Sequence, residues 1–320
     1  MKLYINDRTN PYFNLASEEY LLCSEDEPVF MLWRNDKAVI IGRNQNAYAE
    51  VNRGFADENN IAVVRRLTGG GAVFHDLGNV NYTFITAKGD AGALDFARFC
   101  APVIDALTSL GVPAQLSGRN DMTADGRKFS GNAQCVYNGR VLHHGTILFS
   151  ADMSFLSGAL NADPEKMKSK GIKSVRSRVC NLSEYLPGFT AEKLKSYLEN
   201  SVDAEKTTFS AEQTNGIEKL AREKYSTWEW NYGKSKEYEN SVKQRFPFGS
   251  VEACYTAEGG RLTAVRLRGD YFSAKPVELL EQSLIDCRLI KDELCGRLSH
   301  VGDFICGAEP EQIAALFLKN

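Results

Sequence analysis

Short runs with strand-like and helix-like spacing of apolar positions alternate along the first 150 residues. Residues 14–23, NLASEEYLLC, read as a helix with Asn14 as N-cap and Glu18 and Glu19 near the positive end of its dipole. Two apolar strands follow, VFMLWRN and AVIIG, separated by a short polar turn. EVNRGFADENN reads as a helix and IAVVRRL as a strand; beyond a glycine-rich loop, NVNYTFITA is another strand. Between 92 and 110, Leu94, Phe99, Val103, Leu107 and Leu110 recur at helical spacing, and Gly111 ends the run.

Residues 115–150 predict hairpins. Asp125-Gly126 and Asn138-Gly139 are type I′ turn signals flanked by KFSGNAQCVY and RVLHHGTILF. This puts Lys128 near the start of a strand and His143-His144 across the second hairpin. Helices are expected near 190–201 and 210–225. After WEWNYG the chain turns polar, and KSKEYENSVKQRFPFG, with Pro247 and Gly249, predicts a linker. A hairpin and two or three helices complete the chain. The expected organisation is a larger unit over 1–240 and a smaller α/β unit over 248–320. Strands mixed with helices and hairpins predict an α+β fold with a mixed sheet, not a doubly wound parallel one.

Composition narrows the chemistry. The net charge of -3 offers no broad basic field for nucleic acid, and no apolar run approaches the ~20 residues of a membrane span. The eight cysteines are scattered without a C-x-x-C, and nothing ahead of MKLYINDRTN reads as a signal peptide, so reduced thiols in a cytoplasm are expected. The four histidines form no H-E-x-x-H, which argues against a zinc site.

The segment RRLTGGGAVFHD, residues 65–76, raises the sharpest question. Three consecutive glycines lose much backbone entropy on folding, so they belong where a backbone must be approached closely. Their N–H groups can form an anion-binding nest, with Arg65 and Arg66 adding bidentate contacts. A lone Gly-Gly-Gly is most simply a turn; beside two arginines and ahead of His75-Asp76 it points to a ligand. Neither G-x-x-x-x-G-K-[ST] nor G-x-G-x-x-G occurs, so a nucleotide must be held another way. Lys128 in GRKFSGNAQ would by itself be a surface lysine. Adjacent histidines on a strand point to opposite faces, so at most one of His143 and His144 faces a given site. KMKSKGIKSVRSR, residues 166–178, holds six basic residues and no acidic one, and reads either as a solvated loop or as a lid over an anion.

In order, RRLTGGGAVFHDLGNVNYTF, GRND, KFSGNAQ, HHGTILF, KGIKSVRSRVCNL and WEWNYG resemble the lipoate–protein ligase family over residues 1 to about 245, and more weakly through a C-terminal accessory unit. The resemblance implies a biotin/lipoyl-ligase-like core, a monomer, and a two-step reaction. Lipoate and MgATP give lipoyl-adenylate and pyrophosphate, and the acyl group passes to a lysine of a lipoyl-carrier domain, such as a 2-oxoacid dehydrogenase E2 subunit or the glycine-cleavage H protein. It also implies the site. Lys128 would contact both acyl carbonyl and α-phosphate, and Asp121 would orient it or help hold Mg²⁺. Arg66 would hold an oxyanion. Gly69, Gly70, Gly71, Val73, Phe74 and His75 would line the acyl and adenylate site, with Ser130, Gly131, Asn132 and Ala133, and with His144, Gly145 and Thr146. Ser174, Val175 and Arg176 would close over the adenylate. Two rivals stand beside this reading: a cysteine-dependent octanoyl or lipoyl transferase of the same superfamily, using Cys135 or Cys180 without ATP, and a non-catalytic binder of lipoate or lipoyl domains.

Overall fold

The computed structural model describes residues 1–87, 94–161, 179–232 and 238–318. In chain order the strands are β1 (Lys2–Ile5), β2 (Val29–Trp33), β3 (Ala38–Ile41), β4 (Ala62–Arg65), β5 (Val73–His75), β6 (Asn79–Ala87) and β7 (Ala114–Ser117). They continue as β8 (Asp121–Ala124), β9 (Arg127–Tyr137), β10 (Arg140–Leu148), β11 (Glu205–Thr207), β12 (Asn240–Phe246), β13 (Gly249–Glu258) and β14 (Arg261–Gly269). The main sheet runs β11-β1-β2-β6-β10-β9-β8-β7, with β1 parallel to β2 and β11 and the other pairs antiparallel. A small mixed sheet, β4-β3-β5, stands beside it. The mixed sheet expected from the sequence is therefore present.

Strand alternation explains how the sheet is covered. Phe30 and Leu32 of β2 face a core that includes Phe99, Val103 and Leu107 of helix Phe96–Ser109 and Leu194 and Leu198 of helix Ala191–Ser201. Val29, Met31 and Trp33 face the opposite core, with Leu15, Leu21 and Leu22 of helix Pro11–Ser24. Both predicted hairpin turns form, with positive φ at Asp125 and Gly126 and at Asn138 and Gly139.

Three details differ from expectation. The first helix begins at Pro11, and Asn10 caps it by accepting from the N–H groups of Tyr12 and Phe13. Pro at the first helical position is preorganised and lacks a donor that would be orphaned there. Asn14 is instead buried within the helix, and Glu18 faces the interior one turn further on. The segment 47–58 forms two short helices, Ala47–Glu50 and Arg53–Glu58, because the Asn52 side chain accepts from Phe55 N–H and starts the helix anew. Within the expected linker, Asn240–Phe246 form edge strand β12, which pairs with β13 and exposes polar side chains at alternate positions.

The C-terminal residues build their own core, in which Val251, Tyr255 and Leu267 of the sheet meet Leu280, Leu294 and Phe317 of the helices. Among the described residues four helices follow the sheet: Val277–Ser283, Lys291–Arg297, Val301–Phe304 and Pro310–Leu318. This unit rests on the glycine loop: Gly70 N–H donates to Tyr271 O at 3.4 Å, and Gly269 N–H donates to Asn44 O at 2.9 Å.

Candidate active site

The register of the main sheet lines up Trp33 with Asn81, and Asn81 with Thr146. Gly131 N–H donates to Thr146 Oγ1 at 3.2 Å, and Asp121 pairs with Gly131. One row therefore crosses five strands from an apolar end at Trp33 to a charged end at Asp121. A β-bulge in the pairing at Met122/Thr123 brings Lys128 opposite Thr123. From there its ammonium bonds Asp121 Oδ1 at 2.7 Å. A side chain at position 131 would place its Cβ 3.3 Å from Lys128 Nζ, so glycine leaves the ammonium its room. Cys180 N–H donates to Lys128 O at 2.9 Å and fixes the strand beneath it.

Two cavities meet at this lysine. The first, about 180 Å³, runs along the row and is lined by Trp33, Leu15 and Ile40 at its apolar end. Of the residues expected at the site, it collects Arg66, Gly70, Gly71, Val73, His75, Lys128, Gly131, Asn132, Ala133, His144, Gly145 and Thr146. The second is a larger cleft of about 530 Å³, lined by Val73, Phe74, Asp121, Lys128, Ser130, Gly131 and Thr146 among others. Ala72, Val73, Lys128, Gly131 and Thr146 belong to both walls. Ser174, Val175 and Arg176 lie outside the described residues.

The glycine run divides its tasks. Gly70 holds φ +89, and a Cβ on Gly69 would sit 2.4 Å from Tyr271 O. Gly69 thus does not line either cavity; it is small because the C-terminal unit packs on it. Gly71 has open space around it and leaves bare backbone at the junction of the cavities.

Arg66 lines the first cavity with most of its donors already engaged. Its buried guanidinium donates to Thr68 Oγ1, Ile40 O, Gly69 O and Gly71 O, so it braces the glycine loop and does not present a free fork to an oxyanion. Burial lowers its pKa to about 10, which still leaves it charged at neutral pH. Arg65 likewise donates to the carbonyls of Gly42, Arg43, Gln45, Trp230 and Asn231. The cationic pair is framework.

Both histidines of the HHG segment are buried. His143 faces away from the cavity, bonding Gln134 and the Tyr82 hydroxyl, and burial holds its pKa well below 6.5. His144 faces the cavity: its Nδ1 bonds Glu18 at 2.9 Å and its Nε2 bonds Thr68 Oγ1 at 2.8 Å. Glu18 also accepts from Thr83, which accepts from Trp33 Nε1. Glu18, Thr68 and Thr83 escaped the sequence reading. The usable signal was Glu18, a carboxylate among the apolar residues of a buried helix face, which needs partners. Phe272 escaped it too; it lines the first cavity from the C-terminal unit, with the Arg119 guanidinium 4.4 Å from its ring.

Neither thiol of the transferase alternative is poised to ionise. Burial pushes Cys135 to about 12 and also raises Cys180, and neither lines the two cavities. Among the described residues no group of three or more His, Cys, Asp or Glu could hold a metal ion.

Two cavities that share a lysine are the arrangement of an enzyme that joins two substrates. The family models agree with that class. "Lipoyl protein ligase A/B catalytic domain" matches residues 10–203 and "Bacterial lipoate protein ligase C-terminus" matches 235–317. The chain belongs to the lipoate–protein ligase family, a family of ATP-dependent ligases. It is 39% identical to the lipoate-protein ligase LplJ of Bacillus subtilis over 88% of this chain and 87% of that one. Among solved structures, P. falciparum LipL1 in complex with lipoate superposes with a TM-score of 0.81 at 25% identity, covering 100% of this chain and 99% of that one. Lipoate-protein ligase A bound with ATP gives 0.61 at 27%, covering 72% and 98%. The bipartite ligase of Thermoplasma acidophilum, described with its E2 lipoyl domain, gives 0.67 at 29%, covering 75% and 98%.

Proposed function

We propose that this chain activates lipoate with ATP and transfers the lipoyl group to a lysine of apo lipoyl domains, such as those of E2 subunits and H protein. The observation that carries the reading is the shared wall. The first cavity takes the acyl chain, the open cleft takes ATP, and Lys128 stands where carboxylate and α-phosphate must meet. The carboxylate oxygen attacks the α-phosphorus and pyrophosphate leaves. The substrate lysine amine then attacks the acyl carbonyl, AMP leaves, and the amine gives up a proton. Two anions repel as they approach, and a fixed ammonium between them lowers the barrier. Asp121 orients that ammonium. Thr146 Oγ1 and the bare backbone at Gly71 and Gly131 supply polar contacts without side-chain bulk.

Mg²⁺ fits only as a companion of ATP. Among the described residues Asp121 is the one carboxylate in the cleft wall, and it is already paired with Lys128. A metal held mainly by phosphates and at most one carboxylate is the usual magnesium arrangement. When bound it would neutralise phosphate charge. The eight cysteines are all free, which supports a reducing cytoplasm as the place of action.

Lipoate-dependent ATP–pyrophosphate exchange, followed by acylation of an apo lipoyl domain, tests the reading. Cys135→Ser and Cys180→Ser, singly and together, are expected to keep both activities. Loss of transfer in either variant, with activity drawn from acylated carrier protein and not from ATP, would favour the transferase.

A further inference from the structure

The inner cavity contains a donor whose direction the surrounding hydrogen bonds determine. Asn14 Nδ2 donates to the carbonyls of Arg8 and Arg34, both at 3.0 Å, which fixes the orientation of its amide. Asn35 Oδ1 lies 2.9 Å from the same nitrogen, whose two hydrogens are shared among the three oxygens, and a reversed Asn35 would set one NH₂ against another. Asn35 must therefore turn its Nδ2 toward His75 Nδ1, 3.1 Å away. His75 Nδ1 accepts that bond, so the ring proton of the neutral imidazole sits on Nε2. Desolvation holds the His75 pKa at about 3, so the neutral form prevails at physiological pH.

His75 Nε2 is buried and has no hydrogen-bond partner among the described residues, although His75 lines the cavity. Its ring lies edge-on to Trp33, centroids 6.1 Å apart, at the apolar end of the row. Most of the polar wall is already paired, as the bonds of Arg66, Thr68, His144 and Glu18 show. Asn81 Nδ2 is also unpartnered there. Asn81 faces Asn79 amide to amide, however, so the two can exchange donor and acceptor ends, whereas His75 has no such freedom.

From Gly131 to Trp33 the row crosses three strand spacings, about 14 Å at ~4.8 Å each. An acid whose carboxylate lies at Lys128 therefore brings the far end of an eight-carbon chain toward Trp33 and His75. In lipoate that end is a cyclic disulfide; in octanoate it is plain hydrocarbon. We propose that His75 Nε2–H is the specificity donor of this cavity, bonding a sulfur of the dithiolane ring and so favouring lipoate over octanoate. The inference rests on the acyl-activation reading above. Octanoate leaves a buried donor unpaired, which disfavours it; sulfur is a weak acceptor, so the discrimination is on the order of tenfold.

Two variants and one spectrum test this. In competition between lipoate and octanoate for ATP–pyrophosphate exchange, His75→Phe keeps a flat ring without the donor and lowers the lipoate-to-octanoate ratio of kcat/KM about tenfold. Asn35→Asp keeps the imidazole but presents an acceptor to Nδ1, drawing the proton there, and lowers the ratio in the same direction. Nitrogen-15 NMR of wild-type protein shows the Nε2–H tautomer, with the Nε2 resonance shifting on addition of lipoate and not of octanoate. A ratio unchanged in His75→Phe, a ratio altered in His75→Phe but not in Asn35→Asp, or equal NMR shifts with both acids would overturn the proposal. If the wild type activates neither acid, the acyl-activation reading itself has failed.

Discussion

Lys128 shows how little a residue's type says until its neighbours are known. Its side chain is 42% exposed, as a surface lysine's would be, and only its bond to Asp121 and its place on two cavity walls set it apart. His75 is the opposite case, wholly enclosed and held neutral by desolvation. That burial has a pH consequence. The folded pKa of about 3 lies below the ordinary value of 6.5, so the unfolded state binds the proton first on acidification. His75's contribution to stability is complete above pH 6.5 and declines as pH falls from 6.5 toward 3, by up to ~1.4 kcal/mol per pH unit. Buried His143 acts in the same direction. Urea unfolding at a series of pH values is expected to show stability falling through this window, with a shallower slope in His75→Phe. An identical slope in the variant would show that His75 is not held neutral by the fold.

At the level of elements, periodicity located β2, β3, β4, β6 and the hairpins because burial on one or both faces imposes it directly, whereas the short strands β1, β5 and β11 were missed and β12 was read as a linker. The turn signals at 125–126 and 138–139 were legible for a local reason: both residues of each turn need positive φ. Helix starts were less legible. Asn10 and Asn14 are equally good caps by type, and the choice depended on Asn14 finding Arg8, Arg34 and Asn35, contacts distant in sequence or invisible until the chain folds. The bracing role of Arg66 was hidden for a similar reason, since nothing local reveals that four acceptors converge on it. Gly145 gives a sharp test of strand packing. A Cβ there would lie 2.0 Å from Asn132 Oδ1 and 2.5 Å from the Tyr82 ring. Gly145→Ala is expected to destabilise the protein by about 3 kcal/mol in urea unfolding, the cost of overpacking a buried sheet face. A change below about 0.5 kcal/mol would show that this face yields easily.

Across the whole molecule, the C-terminal unit completes the first cavity. Tyr271 packs on Gly69, and Phe272 lines the cavity beneath the Arg119 guanidinium. The Arg43–Glu278 ion pair, 3.0 Å, joins the two parts near their seam, but its exposure makes it a minor contributor. None of this was legible in the sequence, because the motifs that mark the site all precede residue 240 and no local pattern links Phe272 to Arg119. Phe272→Ala is expected to raise the KM for lipoate roughly tenfold, as a buried aromatic contact is lost, with kcat moving less. Steady-state exchange kinetics check this; an unchanged KM would mean that the acid does not reach Phe272.

The central claim is that adenylation takes place at Lys128, where the two cavities share a wall. Its most direct test is lipoate-dependent ATP–pyrophosphate exchange in Lys128→Ala, with folding verified by an unfolding curve matching the wild type. The account predicts a fall of at least ~10²–10³ in exchange rate, unrescued by Lys128→Arg, whose planar fork does not reproduce a compact ammonium. Exchange near the wild-type rate in folded Lys128→Ala would contradict it.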